Sequence, residues 1–264
     1  YSYIGADGRE CCGEFRFLDW PSADSPPAVH AGLQGLLTWA LTAGEKLCMV
    51  LGNHCEAQKC AGYLQRLKSY CPDCGNRKSA AALLSISGLA DAAEINKTVL
   101  AAEPCSNLST FLGYYVLEAR ALAGDKSGAL DIIRRYWGGM LDMGATSFWE
   151  DFDLKWCTNA TRIDEMPVSG RPDIHADFGN HCYKGLRHSL CHGWAAGPAA
   201  WCAQKILGGS PAEPGFKKVK FTPDLCGLEW AKGTVPTPYG VITVSLEKGK
   251  APNIILPSGT ELSD

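Results

Sequence analysis

The sequence predicts a mainly α protein that closes with a small antiparallel β region. Three observations carry this. Apolar residues recur at helical spacing in segment after segment of the first two hundred positions. The segments follow one another without the strand–helix alternation of an α/β sheet. Past Pro211 the apolar period shortens to two.

Residues 1–27 read as irregular, with Pro21, Pro26 and Pro27 opposing an early helix. A helix is expected from Val29 to Leu51, weakened by Gly32, Gly35 and Gly44 and closed by Gly52-Asn53-His54. A second, from Cys55 to Tyr70, must stop before Pro72. Shorter helical segments at 77–86 and 90–101 are split by Ser87-Gly88. A stronger one runs from Leu108 to Ala123, with Ser106 and Asn107 as candidate caps and Gly124-Asp125 at its end. The apolar positions 129, 132, 133, 136, 137 and 140 then share one helical face, and Gly138, Gly139 and Gly144 break the pattern.

Residues 157–188 read as a long insertion, the kind of segment that often binds something. Ser189 to Leu207 returns to helix, with Pro198 implying a kink or a local break. Four strands follow: Phe216 to Phe221, Leu228 to Ala231, Val241 to Leu246 and Asn253 to Leu256. Turns at Pro223-Asp224, Pro236-Thr237-Pro238 and Lys248-Gly249 separate them. This divides the chain into a helical domain, 1–210, and a β domain, 211–264.

A net charge of -3 over 264 residues gives no basis for binding nucleic acid or an anionic membrane. No run has the apolar length of a membrane span. With neither an initiator Met nor a signal peptide, the sequence is expected to be a processed or partial chain. Thirteen cysteines point to disulfides and to an oxidising setting, secreted or periplasmic, with Cys71 and Cys74 close together. The sequons at Asn96, Asn107 and Asn159 agree with export.

The candidate chemistry centres on GATSFWE, Gly144 to Glu150, continuing as DFDLKW to Trp156. A carboxylate beside an indole suits a sugar, the ring lining one face while the acid handles a water or a leaving group. Glu150 is the leading acid and Trp149 its aromatic partner. His192 and Trp194, in SLCHGW, could donate to and stack on the same sugar. His188 and His192 share helical i,i+4 spacing, but a metal site would need Asp177 or Glu150 as a third ligand and no H-E-x-x-H is present. No metal and no cofactor is assigned.

Four motifs together resemble the C-terminal half of the bacterial and fungal α-L-rhamnosidases of glycoside hydrolase family 78. They are GATSFWE, SLCHGWAAGPAAW (Ser189 to Trp201), PGFKKVKF (Pro214 to Phe221) and LEWAKGTVPTPYGVITVS (Leu228 to Ser245). FLDWP, Phe17 to Pro21, resembles the G-D-W stretch that opens that half, with Leu18 where the family has Gly. The resemblance implies part of an (α/α)6 toroid followed by a β-sandwich, and inverting hydrolysis of terminal α-L-rhamnose in a glycan or glycoside. It implies the general base at Glu150 and sugar contacts at Trp149, His192, Trp194, Asp19 and Trp20. The family's general acid lies in an upstream D-x-x-x-x-D-E-R segment that this chain lacks. The missing N-terminal half of the toroid is therefore the expected partner. Two other readings stand beside it: a non-catalytic sugar-binding or structural piece, and a uronate lyase using His181, Tyr183, Arg187 and His192.

Overall fold

The computed structural model describes residues 3–11, 13, 16–171, 173 and 189–263. Backbone contacts divide the chain into two units, Tyr1–Ala195 and Ala196–Asp264. The first is helical. The second holds all six strands of the described residues.

Helix α1, Pro26–Val50, begins on its two prolines, earlier than the sequence suggests. Proline cannot be accommodated deep in a helix, but the first turn needs no main-chain N–H, so Pro26 and Pro27 start this helix and do not block it. Its buried face runs from Ala28 to Thr38. Gln34 is fully buried there and satisfied. Its Oε1 accepts from Glu10 N at 2.7 Å, and its Nε2 donates to Gly8 O at 2.9 Å and Leu67 O at 3.2 Å. One amide thus ties the N-terminal segment and α2, His54–Leu67, to α1.

Helix α3, Lys78–Ile86, is buried along nearly its whole length and packs against α1 and α5, Gly113–Leu122. Gly35 is what allows α1 so close: a Cβ there would stand 2.8 Å from the carbonyl of Leu83. Between them lie α4, Ala92–Ile95, and a π-turn at Asn96–Leu100. Buried Lys78 donates to Val99 O at 2.9 Å and Ala102 O at 2.6 Å, and Arg120 to Leu100 O at 3.0 Å. The carbonyls left over where this turn ends are thus met by cations.

The expected helix from 108 begins only at Gly113, because Asn107 takes a left-handed φ of 53° and Ser109 Oγ caps Leu112 N at 2.9 Å. Beyond it come α6, Lys126–Ile132, a π-turn at Ile133–Trp137, and α7, Gly138–Asp142. Gly138 and Gly139 therefore sit inside helix. Gly139 is there for packing, since a Cβ would stand 3.0 Å from the Phe152 ring. The chain turns at Gly144, φ 91°, and runs without regular structure to a short α8, Trp156–Asn159.

In the second unit α9, Gly197–Trp201, carries Pro198 in its first turn, so the proline opens a helix and the expected interruption takes the form of a local break. A π-turn at Cys202–Ile206 leads into the strands. One sheet has the order β1-β2-β6 (Gly209–Pro211, Lys218–Phe221, Glu261–Leu262) and the other β3-β4-β5 (Trp230–Thr237, Gly240–Glu247, Asn253–Ile255). Pairing is antiparallel except for the short parallel match of β2 with β6. Strand β3 runs on through Pro236, six residues further than the sequence pattern gives, because Pro236 and Thr237 still pair with Val241 and Gly240. Both sheets contribute to one apolar cluster of Leu207, Val219, Val235, Ile242, Val244 and Leu246. The chain is thus mainly α, part of a helical toroid, with a small β region at its end.

The cysteine expectation is overturned. None of the eleven described cysteines forms a disulfide. Cys71 and Cys74 are close enough for the second to raise the thiol of the first, after burial, yet they are unbonded. Cys105 and Cys202 are half-buried, and burial pushes both thiols up. They act as small protonated apolar fillers, a common use of cysteine that a count alone does not reveal. Of the sequons, Asn96 has its side-chain nitrogen bonded to Asp125 Oδ2 at 3.0 Å.

Candidate functional site

From Trp149 to Trp156 the chain is pinned by aromatic side chains. Trp149, Phe152 and Trp156 are all buried, and Phe152 meets Trp149, Tyr136 and Trp156 edge-on with centroids 6.0, 5.3 and 5.8 Å apart. Such T-shaped contacts add about 0.5–1.5 kcal/mol each beyond simple burial. Tyr136 is fully enclosed and donates to Phe152 O. Its phenol is pushed far up, by burial first and then by Asp151 and Asp153. These anchors leave Glu150, Asp151 and Asp153 at the surface of the unit.

The main chain of this segment is also cross-tied. Glu150 N donates to Ser189 O at 2.9 Å, and His192 N to Phe148 O at 2.8 Å. Ser147 Oγ donates to Leu190 O. The carbonyl of Glu150 accepts from Thr110 Oγ1 and from Trp194 Nε1, the latter at 2.9 Å. Every one of these bonds joins the GATSFWE stretch to the SLCHGW stretch or to the loop before α5.

At the centre is the Glu150 carboxylate, with its side chain 23% exposed. Oε2 accepts the main-chain N–H of Ser189 at 2.8 Å. His192 Nδ1 stands 3.9 Å from the same oxygen, beyond hydrogen-bond length but within ion-pair range. The imidazole lies against Trp194, centroids 4.1 Å apart, and Trp194 stacks on Phe111 at 5.3 Å. A carboxylate, an imidazole and an indole thus share one partly open surface.

Glu150, His192 and Trp194 are therefore brought together from sequence positions forty residues apart. Trp149 is fully buried and presents no face to a ligand. Asp19 is buried too. Its Oδ1 caps the 3-10 turn Trp20–Ser22 by accepting Ser22 N at 3.1 Å, and its Oδ2 accepts from Ser79 Oγ. Trp20 is 38% exposed, meets Phe17 edge-on, and lines a cavity with Asp24, Arg77, Asp151 and Asp153. Sequence reasoning missed Thr110, Phe111 and the role of the Ser189 N–H. The first two lie in a stretch with no motif, and a main-chain donor leaves no trace in residue identity.

Asp177, His181, Tyr183, Arg187 and His188 lie outside the described residues, and with them three of the four residues of the lyase reading. Among the described residues no group of three or more His, Cys, Asp or Glu is arranged to hold a metal. No helix of the described residues is long and apolar enough to cross a membrane.

Residues 208–260 match the family described as "Bacterial alpha-L-rhamnosidase C-terminal domain". Among solved structures, the chain is similar to a family 78 rhamnosidase of Bacillus sp. GL1, with a TM-score of 0.70 and 23% identity, over 98% of this chain and 30% of that one. It is also similar to the α-L-rhamnosidase of Aspergillus terreus, with a TM-score of 0.72 and 16% identity, over 98% and 31% of the two chains. The Streptomyces avermitilis α-L-rhamnosidase, solved with L-rhamnose, gives a TM-score of 0.70 and 16% identity over 98% and 25%. What they share is the fold. No curated protein sequence matches. The chain spans between a quarter and a third of the length of these three structures, so it has the fold of one part of such enzymes.

Proposed function

We propose that the chain is the part of an inverting α-L-rhamnosidase that supplies the general base, and that Glu150 is that base. The supporting observation is the setting of the Glu150 carboxylate, fixed by the Ser189 N–H and facing His192 and the stacked Trp194. In this reading Glu150 takes a proton from a water as the water oxygen bonds to the anomeric carbon. The glycosidic bond breaks on the opposite face, and the leaving oxygen takes its proton from an acid. The two carboxyls of an inverting pair stand ~6.5–9.5 Å apart to admit that water. His192 hydrogen-bonds a sugar hydroxyl, and Trp194 limits solvent on one side.

The acid and the remaining helices of the ring come from outside this chain, from upstream sequence or a separate partner chain. The second half of α1 is suited to receive them. Leu36, Trp39, Leu47 and Val50 fall on one stripe of it and are exposed. A terminal α-L-rhamnosyl glycan as substrate implies a secreted or periplasmic setting for the assembled enzyme.

The test uses the full-length protein on an aryl α-L-rhamnoside. Glu150→Gln keeps the shape of the side chain but cannot accept the proton, so turnover should fall ~10²-fold or more while substrate binding survives. The first sugar released should have inverted configuration by NMR. Unchanged turnover in the variant, or a retained anomer, removes Glu150 from this role.

A further inference from the structure

The main-chain oxygen of Glu150 takes two donors, and both lead back to the loop before α5. A carbonyl oxygen has two lone pairs to offer. Thr110 Oγ1 donates to one, and Trp194 Nε1, at 2.9 Å, to the other. Thr110 is 2% exposed, so water has little access to compete for this bond. The next residue reaches the site by a second route. Phe111 stacks on Trp194, centroids 5.3 Å apart with the planes 26° from parallel, and the indole in turn lies 4.1 Å from the His192 ring. Two consecutive residues thus bear on both the carboxylate and the imidazole, Thr110 through the main chain of Glu150 and Phe111 through Trp194.

The loop is built to act as a support. Leu108, Ser109, Thr110 and Leu112 are all buried, and Ser109 Oγ accepts Leu112 N at 2.9 Å. Gly113 begins α5 directly behind them with Trp137 against it, since a Cβ there would stand 2.9 Å from that ring. Trp137 Nε1 donates to Ala195 O at 3.0 Å, three residues past His192. The loop, α5 and the turn that carries His192 are therefore held in one frame. The carboxylate itself is tied more lightly: among the described residues its hydrogen-bond donor is the Ser189 N–H, on Oε2 alone. Where the other oxygen points then depends on where the backbone sets the side chain, and that is what the two carbonyl bonds fix.

We infer that Thr110 and Phe111 are positioning residues, which hold the Glu150 carboxylate and the His192 ring in the mutual arrangement the reaction needs. The inference rests on the reading of Glu150 as the general base. Because they act through other residues and not on the substrate, their loss should appear in kcat and not in KM. A misplacement of about 1 Å in a reacting group can cost up to ~10²-fold in rate while the contacts that bind the ground state survive.

The test is steady-state kinetics of the full-length protein on an aryl α-L-rhamnoside. Thr110→Val keeps the shape of the side chain but not the donor, so kcat should fall about tenfold with KM changed less than about twofold. Thr110→Ser keeps the hydroxyl and should restore most of the rate. Phe111→Leu should act in the same sense, and it decides the matter if Thr110→Val does not fold. Added to Glu150→Gln, either change should lower the residual rate by less than about twofold, because no base is left to misplace; residues that act through one another are non-additive in this way. Unchanged kcat in the folded variants, a loss that Thr110→Ser does not recover, a rise in KM that matches the fall in kcat, or the full tenfold loss on top of Glu150→Gln overturns the inference and leaves the base assignment standing. Wild-type turnover in Glu150→Gln alone removes the base assignment, and this inference with it.

Discussion

Trp194 is bonded to the backbone of Glu150 and not to its carboxylate: the indole Nε1–H donates to the main-chain oxygen at 2.9 Å. The same ring stacks on Phe111. Trp194→Phe keeps an aromatic surface there but loses the donor, so it should cost about 1 kcal/mol of stability. Turnover of the full-length protein should fall with little change in KM, since the proposed base, Glu150, is loosened and the pocket is not removed. Urea unfolding and steady-state kinetics decide it, and a variant matching wild type in both shows that the bond positions nothing.

Asp125 holds a buried charge in place. It pairs with Arg120, bonds Asn96 and caps α6 through Gly128 N. Burial works against its ionised form, but the Asn96 bond, the Arg120 charge and the Gly128 N–H outweigh that and hold its carboxyl below the usual carboxylate range. A depressed pKa contributes stability above the unfolded value of ~3.9, lost as pH falls through the folded value. Asp125→Asn keeps the cap but strands Arg120, which is 5% exposed. It should cost about 2–3 kcal/mol at pH 7. It should also flatten the fall in melting temperature below pH ~4. A variant whose acid limb is as steep as wild type rules this pair out as its source.

Two glycines should respond in opposite senses to alanine. At Gly35 the new Cβ would press on the Leu83 carbonyl at 2.8 Å, backbone that cannot rotate away. Gly35→Ala should therefore lose ~1–3 kcal/mol. At Gly138 nothing lies within 4 Å and the backbone is helical, so Gly138→Ala should gain roughly 0.5–1 kcal/mol. Thermal melts that rank the two the other way would mean that the α1–α3 approach is looser than described.

The thiols can be counted. Titration with a thiol reagent under denaturing, non-reducing conditions should find at least the eleven described thiols per chain. A markedly lower number would restore the disulfides that the composition suggests.

The exposed stripe on α1 should make the isolated chain associate or bind a hydrophobic dye. Changing Leu47 and Val50, 58% and 62% exposed, to lysine should abolish that without lowering the melting temperature. The same double change should hinder assembly with a separately produced upstream half.

Much of the helical order could be read from periodicity, because α1 and α2 each bury one face and their apolar spacing shows it. Boundaries were harder where a local bond outweighs the pattern, as when Ser109 caps Leu112 N and delays α5, or when the π-turn at Ile133–Trp137 shifts the face within one continuous helix. Glu150, His192 and Trp194 could be picked out by residue type, and the structure brings them together. Trp149, picked out the same way, was misleading. An indole next to an acid reads alike in sequence whether it faces a ligand or the core, and only the contact with Phe152 tells the two apart. Asp19 likewise gave no sign that both its oxygens were engaged by Ser22 and Ser79.

The bonds that surround Glu150 bear on how the position can be altered. Thr110, Trp194 and Ser189 O all hold its main-chain atoms, and among the described residues the Ser189 N–H is the one hydrogen-bond donor to the carboxylate. The frame is thus largely indifferent to which side chain it presents. Residue 150 behaves as an exchangeable fitting, where a shorter or neutral group could be installed without reshaping the loop. On the proposal that Glu150 is the general base, that makes it a natural starting point for turning a glycoside-cleaving protein into one that only captures, or even joins, the same sugars.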